Sequence, residues 1–202
     1  MAMALVGALP SATARGRMEV SGLPVRFRSP HDALEAGVAY VTEDRKGRGI
    51  FPTLNTQKNI TLTRLGEFTK SGFLRLSFET EVAQATLSEF GIRSDAINRP
   101  IASLSGGNQQ KALLARFLSR PTKLVILDEP TRGVDVGARV DIYRLMNRLT
   151  DGGVGILMIS SDLPELLGMS DRIVVMRTGT TTGELTRENA TPDKVMSLAM
   201  AN

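Results

Sequence analysis

Residues 123–131 read KLVILDEPT, and the fold turns on that stretch. Four consecutive apolar residues, Leu124 to Leu127, are followed at once by two adjacent carboxylates, Asp128 and Glu129. A strand that is apolar without alternation belongs inside a parallel sheet covered by helices, and the carboxyl ends of such strands are where open α/β sheets hold ligands. Downstream, Val136, Val140, Tyr143, Met146 and Leu149 recur at helical spacing, and VGILMIS (154–160) returns as a second apolar strand. Strand, helix, strand predicts a right-handed parallel crossover.

Upstream, VAYV (38–41) is a brief apolar run that delivers the polar loop TEDRKGRG, as a buried parallel strand would. Before it, SPHDALEAG predicts a short helix, opened by Ser29 or Pro30 and closed by Gly37. RGRMEVSGLPVRFR (15–28) reads as two strands joined by a tight turn at Ser21-Gly22. From about 53 to 104 strand signals vanish, and FETEVAQATLSEFGI places Val82, Ala83, Leu87 and Phe90 at helical spacing, so this middle is expected to be a helical insertion. RIVVMRTGTTTGEL predicts a strand and hairpin, and TPDKVMSLAMA a closing helix.

With 202 residues, 42% of them hydrophobic and 23% charged, the chain can bury one sizeable core, and a single domain spanning 1–202 is expected. The net charge of +4 comes from scattered basic residues, and only seven Phe and two Tyr are present. That combination argues against a nucleic-acid surface. No cysteine occurs, which excludes disulfides and cysteine-based metal sites. No apolar run reaches the ~18 residues of a membrane helix, and MAMALVGALP lacks the basic start of a signal peptide. The lone histidine, His31, reads as a surface residue in a helix opening.

LSGGNQQK (104–111) sets a Ser-Gly-Gly turn before an amphipathic helix. Gly106 and Gly107 let backbone approach a ligand, Ser105 offers a hydroxyl, and the helix turns its N–H groups and positive dipole end outward. In isolation the turn reads better as a simple serine N-cap, and Asp128-Glu129 as an acidic cap on the next helix; their occurrence together reverses that reading. Together they suit phosphate chemistry: one carboxylate helps to hold Mg2+, and the next orients and deprotonates a water at a γ-phosphate. The loop G-x-x-x-x-G-K-[ST], which grips nucleotide triphosphates, occurs nowhere in these residues.

LSGGNQQK, LVILDEPT and TRGVDVGAR, in this order and spacing, resemble the signature motif, Walker B strand and D-loop of an ABC-type ATPase. TEDRKGRG where a Q-loop is expected, Asn108 at the fifth signature position, and SSDLPELLGMSDRIVVM after the last strand narrow the resemblance. It is to the second, C-terminal nucleotide-binding domain of the fused ATP-binding subunits of monosaccharide importers, of the ribose, galactose and xylose type. The resemblance runs from about Leu5 to the C-terminus. It implies a P-loop NTPase-like α/β domain with a mostly parallel core sheet, a small antiparallel part and a helical subdomain at about 53–104. It also implies that the family's further strands and Walker A loop precede GALP, so that this chain is expected to begin at or after them.

The resemblance assigns roles residue by residue. Asp128 is expected to bind Mg2+ and to share catalysis with Glu129 in the cis site. Ser105, Gly106, Gly107 and Gln109 are expected to contact ATP held by a partner domain, because ABC domains pair head to tail. Glu43 stands where most such ATPases have the Q-loop glutamine, Ser161 where they have the switch histidine, and Asp135 in the D-loop; all three are expected near the nucleotide. The implied partners are a second ABC ATPase domain, fused or separate, a transmembrane sugar permease, and an external sugar-binding protein reached indirectly. The permease is expected to dock near TEDRKGRGIFPTLNTQKNI at the cytoplasmic face of the membrane, with Arg45, Lys46 and Arg48 there read as solvated or interdomain charges. A non-catalytic remnant or interaction module is the alternative. A chromosome-maintenance or ribosome-associated ATPase is disfavoured by the absence of long heptad arms and basic linkers.

Overall fold

The computed structural model of the protein describes residues 1–9 and 16–200. Arg15, at the start of the stretch read as the first strand pair, and Ala201, at the end of the closing helix, lie outside them. The chain forms two compact units, Met1–Leu157 and the residues from Met158 onward.

In chain order the first unit holds α1 (Ala2–Leu5), β1 (Glu19–Val20), β2 (Leu23–Pro24), α2 (Pro30–Glu35) and β3 (Val38–Val41), then a π-helical turn at Arg45–Gly49. It continues with α3 (Thr56–Thr61), β4 (Thr69–Lys70), β5 (Phe73–Leu74), α4 (Leu76–Glu89), α5 (Gly106–Leu118), β6 (Leu124–Asp128), α6 (Val136–Asp151) and the start of β7 (Gly155–Ile159). β3 pairs in parallel with β6, Val38 opposite Leu124 through Val41 opposite Leu127, and the sheet order is β3-β6-β7. Val125, Ile126 and Leu127 are fully buried, as the unbroken apolar run requires of a central parallel strand. The second unit holds α7 (Leu163–Met169), β8 (Arg172–Arg177), β9 (Thr180–Thr186) and α8 (Pro192–Met200), with β8 and β9 antiparallel over a small core of Ile173, Val175 and Val195.

Local signals explain most element ends. Ser29 caps α2 by accepting from the Asp32 N–H at 3.2 Å, and Gly37, with φ of +83°, follows its last turn. Ser21 and Gly22 both take positive φ, the backbone that a two-residue hairpin between β1 and β2 needs. The middle of the chain departs from a purely helical reading. Ser71 and Gly72 repeat the same positive-φ pair and fold β4 onto β5. The stripe along α6 also differs in part: Met146 is buried as its spacing predicts, but Val136 and Val140 are exposed, and Ile142 and Leu145 face the core beside Met146.

α5 is the pillar of the first unit, with nine residues buried from Gly107 to Arg116. The Arg116 guanidinium donates to the backbone carbonyls of Asn59 and Gly49 and, at 2.7 Å, to the Asn59 side-chain oxygen. It thereby ties α5 to α3 and to the turn after β3. Burial draws its pKa down to about 10, so it remains charged near neutrality.

A second buried charge is Glu79 on α4, which accepts from Lys58 Nζ and Thr61 Oγ1, each at 2.7 Å. Burial pushes its pKa up, but the Lys58 and Thr61 hydrogen bonds outweigh this and leave it below the ordinary 4.5. A carboxylate lowered in the folded state adds stability above its unfolded pKa, and that contribution disappears as pH falls through the folded value. Glu79→Gln is therefore expected to cost about 1–3 kcal/mol near neutral pH. In urea titrations the deficit should shrink as the pH is taken well below 4 or so; a deficit independent of pH would contradict the assignment.

Candidate functional site

Two clusters in the first unit gather the residues singled out above. The first lies at the carboxyl ends of β3 and β6. Asp128 ends β6, and Tyr40 of β3 donates its hydroxyl to Asp128 Oδ2 at 2.9 Å. Burial first, and then the hydrogen bond to the carboxylate, push the Tyr40 phenol above its ordinary value of 10, so it stays a donor that orients Asp128. Sequence reasoning passed over Tyr40; the available signal was one hydroxyl in an otherwise apolar strand parallel to KLVILD.

Glu129 follows with φ of +49°. A left-handed backbone at a non-glycine residue is strained by on the order of 1 kcal/mol or more, and such residues concentrate where geometry serves function. The bend takes Glu129 out of the path of β6, and the Arg132 N–H closes the turn on the Glu129 carbonyl at 3.2 Å. Arg132 also pairs with Glu43, bridging this turn to the loop after β3. Both members are largely exposed, so the pair positions more than it stabilises.

The second cluster surrounds the start of α5. Ser105 is exposed and caps the helix, accepting from the Asn108 N–H at 3.4 Å. The motif then divides by face. Gln109 is turned inward, where its Nε2 donates to the carbonyls of Ile101, Ala102 and Leu104 at 3.1–3.4 Å. Lys111 bonds the Gly91 carbonyl at 2.8 Å and pairs with Asp141 of α6. Gln109 therefore holds the loop that precedes the helix, while its neighbour Asn108 is only half-buried.

The two glycines also part company. Gly107 is buried, and a Cβ there would lie 2.2 Å from the Ala138 Cβ, so it is glycine because α5 and α6 touch at that point. Gly106 is less enclosed, with the Gly133 carbonyl and the Arg45 guanidinium near it. Asp135, expected at the nucleotide, caps α6 by accepting from the Ala138 N–H at 2.9 Å. Its cap fixes the helix end against which Gly107 packs. Ser161 lies in the second unit, exposed, just before α7.

Between the π-helical turn, the 101–104 turn and the start of α5 lies a cleft of about 500 Å³, bordered by Arg45, Lys46, Gly106 and Gln109. Among the described residues no group of three or more His, Cys, Asp or Glu could enclose a metal ion, and no helix is long and apolar enough to cross a membrane.

The family model described as ABC transporter matches residues 1–132. The chain is 46% identical over 186 residues to the ribose import ATP-binding protein RbsA 2 of Streptomyces coelicolor, covering 92% of this chain and 36% of that one. It is also 46% identical over 205 residues to the ribose import ATP-binding protein RbsA 1 of Rubrobacter xylanophilus, covering 100% of this chain and 40% of that one. The chain thus spans about two-fifths of the length of these relatives. A solved ATP-binding cassette of an ABC transporter, in its ADP conformation, superposes with a TM-score of 0.77 at 21% identity, covering 99% of this chain and 82% of that one. A nucleotide-free cassette gives 0.79 at 20% identity, covering 100% and 82%. The parallel sheet ending in Asp128, the capped signature helix and these likenesses agree: the fold is that of an ATP-binding cassette, and the chain belongs to the ABC transporter family.

Proposed function

We propose that this chain is the ATP-binding component of a sugar importer of the ribose type, with its LSGGNQQK signature acting on ATP held by a partner ATPase domain. The observation that carries this reading is the division of the motif by face. Gln109 and Lys111 are spent on internal hydrogen bonds, while Ser105, Gly106 and Asn108 are left at the outer end of a thirteen-residue helix. That end presents unsatisfied N–H groups and a positive dipole, which suit a phosphate brought from outside. The identity to ribose import proteins supports the substrate class.

In the cis site, Asp128 and Glu129 fit a Mg2+-dependent phosphoryl reaction. Mg2+ is ordinarily held by one or two carboxylates, with phosphate oxygens and water completing its shell, so a single oriented aspartate is an adequate protein share. When bound, the ion would neutralise charge on the β- and γ-phosphates. Tyr40 holds Asp128 in place, and Glu129, bent out of the strand, is the group to accept a proton from an attacking water. In this reading the grip on the phosphates comes from a Walker A loop outside these residues, and the 202-residue chain alone turns ATP over negligibly. The chain is one nucleotide-binding domain with a helical subdomain at about 53–104, and it works at the cytoplasmic face of the membrane. A permease loop meets the π-helical turn and Phe51, which is 45% exposed beside it. An external sugar-binding protein loads the permease.

Ser105→Arg tests the signature assignment, since it sets bulk and a fixed charge at the proposed contact while leaving the core untouched. Mixed with a partner ATPase domain that carries Walker A, the parent chain should stimulate ATP hydrolysis, and the variant should not, while losing no more stability than the one N-cap accounts for, about 1 kcal/mol. Stimulation that survives the substitution would remove the trans reading.

A further inference from the structure

The cleft beside the start of α5 contains an arginine whose position no structural role accounts for. Arg45 is partly buried, and its Nε has no hydrogen-bond partner. Its guanidinium lies against Gly106, so close that a Cβ there would sit 3.2 Å from Nη2. The neighbouring carboxylates are committed elsewhere. Asp44 caps the π-helical turn through the Gly47 N–H at 2.9 Å and faces Arg48, and Glu43 pairs with Arg132. Asp135, whose Oδ2 would lie 3.8 Å from a Cβ at Gly107, caps α6 through Oδ1 and forms no ion pair with Arg45, so the Arg45 cation faces the positive end of the helix dipole, an arrangement that a ligand anion would complete. Burial lowers the Arg45 pKa, which has the same sense: the charge lacks a partner.

A second, independent observation comes from Gln109. The side chain is only 6% exposed, borders the same cleft, and leaves its Oε1 without a donor. The cleft is thus bordered by two side chains that each carry a buried polar atom without a partner, Arg45 and Gln109, by a second cation in Lys46, and by the start of the helix. The complementary ligand carries several anionic oxygens together with a hydroxyl or tightly held water, which describes a polyphosphate.

The geometry points to a polyphosphate-binding cleft formed by Arg45 and the N-terminus of α5, in which Arg45 supplies the cation. The inference rests on the reading that the signature meets a nucleotide from outside the chain, and it adds a residue from the loop after β3 to that meeting. Arg45 is then a binding residue rather than one of the solvated charges among which its sequence placed it. Arg48, which is exposed and does not border the cleft, keeps that description.

The test is titration of the isotope-labelled chain with inorganic triphosphate and, separately, with ATP, observed through the Arg45 Nε–H resonance and the backbone amides of Gly106 and Asn108. Both sets should shift together, and Arg45→Ala should weaken triphosphate binding by about tenfold or more, the loss typical of a charged hydrogen bond. Tighter binding of ATP than of triphosphate, with a shift at the Gln109 side chain, would identify the ligand as a nucleotide tail; equal binding would identify free polyphosphate. If the signature amides shift while Arg45 stays silent and Arg45→Ala binds as the parent does, the role of Arg45 is overturned and the trans reading stands. If neither set shifts, the cleft is overturned as a site, and the Ser105→Arg experiment decides the trans reading separately.

Discussion

Replacing Arg116 by alanine is expected to lower the stability of the protein by about 3–5 kcal/mol, among the largest effects open to a single substitution outside the glycines. Three acceptors converge on this guanidinium: the carbonyls of Gly49 and Asn59 and the Asn59 side chain. None of them is charged, so no Coulomb pairing offsets the burial of the cation. Its retention must come from satisfying buried oxygens that would each cost about 1–3 kcal/mol if left alone. The Phe51 and Phe117 rings, 5.3 and 5.9 Å from Cζ, add a smaller attraction. Arg116→Lys keeps the charge but cannot reach three acceptors from one ammonium, and should lose about half as much. Urea unfolding of the three proteins measures this directly. An alanine variant within about 1 kcal/mol of the parent would show that water takes over the three oxygens.

Gly107→Ala should be destabilising even though alanine is the better helix former. Propensity favours the change by at most about 1 kcal/mol. Against it stands a contact of 2.2 Å between the new Cβ and that of Ala138. Carbon atoms settle at about 3.5–4.0 Å, so the starts of α5 and α6 must part by more than an ångström, and overpacking of this kind costs about 1–3 kcal/mol or more. The net loss should be about 2 kcal/mol, with a larger loss of partner stimulation, because the displaced residues include the signature itself. The decisive measurement is the double variant. Gly107→Ala with Ala138→Gly removes the clash and should restore melting temperature and stimulation together, since the next neighbours, Ala138 Cα and Asp135 Oδ2, are 3.6 and 3.8 Å away. Failure of the pair to recover would mean that Gly107 is needed for something other than helix contact.

These two residues mark where sequence reading reaches and where it stops. KLVILD announces a buried parallel strand because a run without alternation has few other homes, and Ser21-Gly22 announces a hairpin because few residues accept two positive φ values in succession. The same Ser-Gly pair at 71–72 was outweighed by helical spacing on either side of it. On α6, the expected stripe at 136, 140, 143, 146 and 149 competes with one through 142, 145, 146 and 149; both have helical period, Met146 is buried in either, and only packing against neighbours turns Ile142 and Leu145 inward and leaves Val136 and Val140 exposed. The site was legible as a set of motifs but not as directions. Which of Asn108 and Gln109 faces outward depends on the carbonyls of residues 101–104 arriving beneath the helix. The solitude of Arg45 depends on Glu43 and Asp44 having found other partners. Neither is a property of the local sequence.

The hairpins between β1 and β2, β4 and β5, and β8 and β9 all turn on a hydroxyl residue followed by glycine, Ser21-Gly22, Ser71-Gly72 and Thr178-Gly179, each with positive φ. Such turns can close within about 1–10 μs because their ends are already neighbours along the chain. Tyr40 and Asp128, by contrast, meet across 88 positions. Loops of that length must close before parallel pairing returns any free energy, so the refolding rate should be set by the docking of β3 on β6. The two carboxylates at the end of β6 are therefore among the last parts of the first unit to find their places, while the three hairpins can flicker in and out of existence long before.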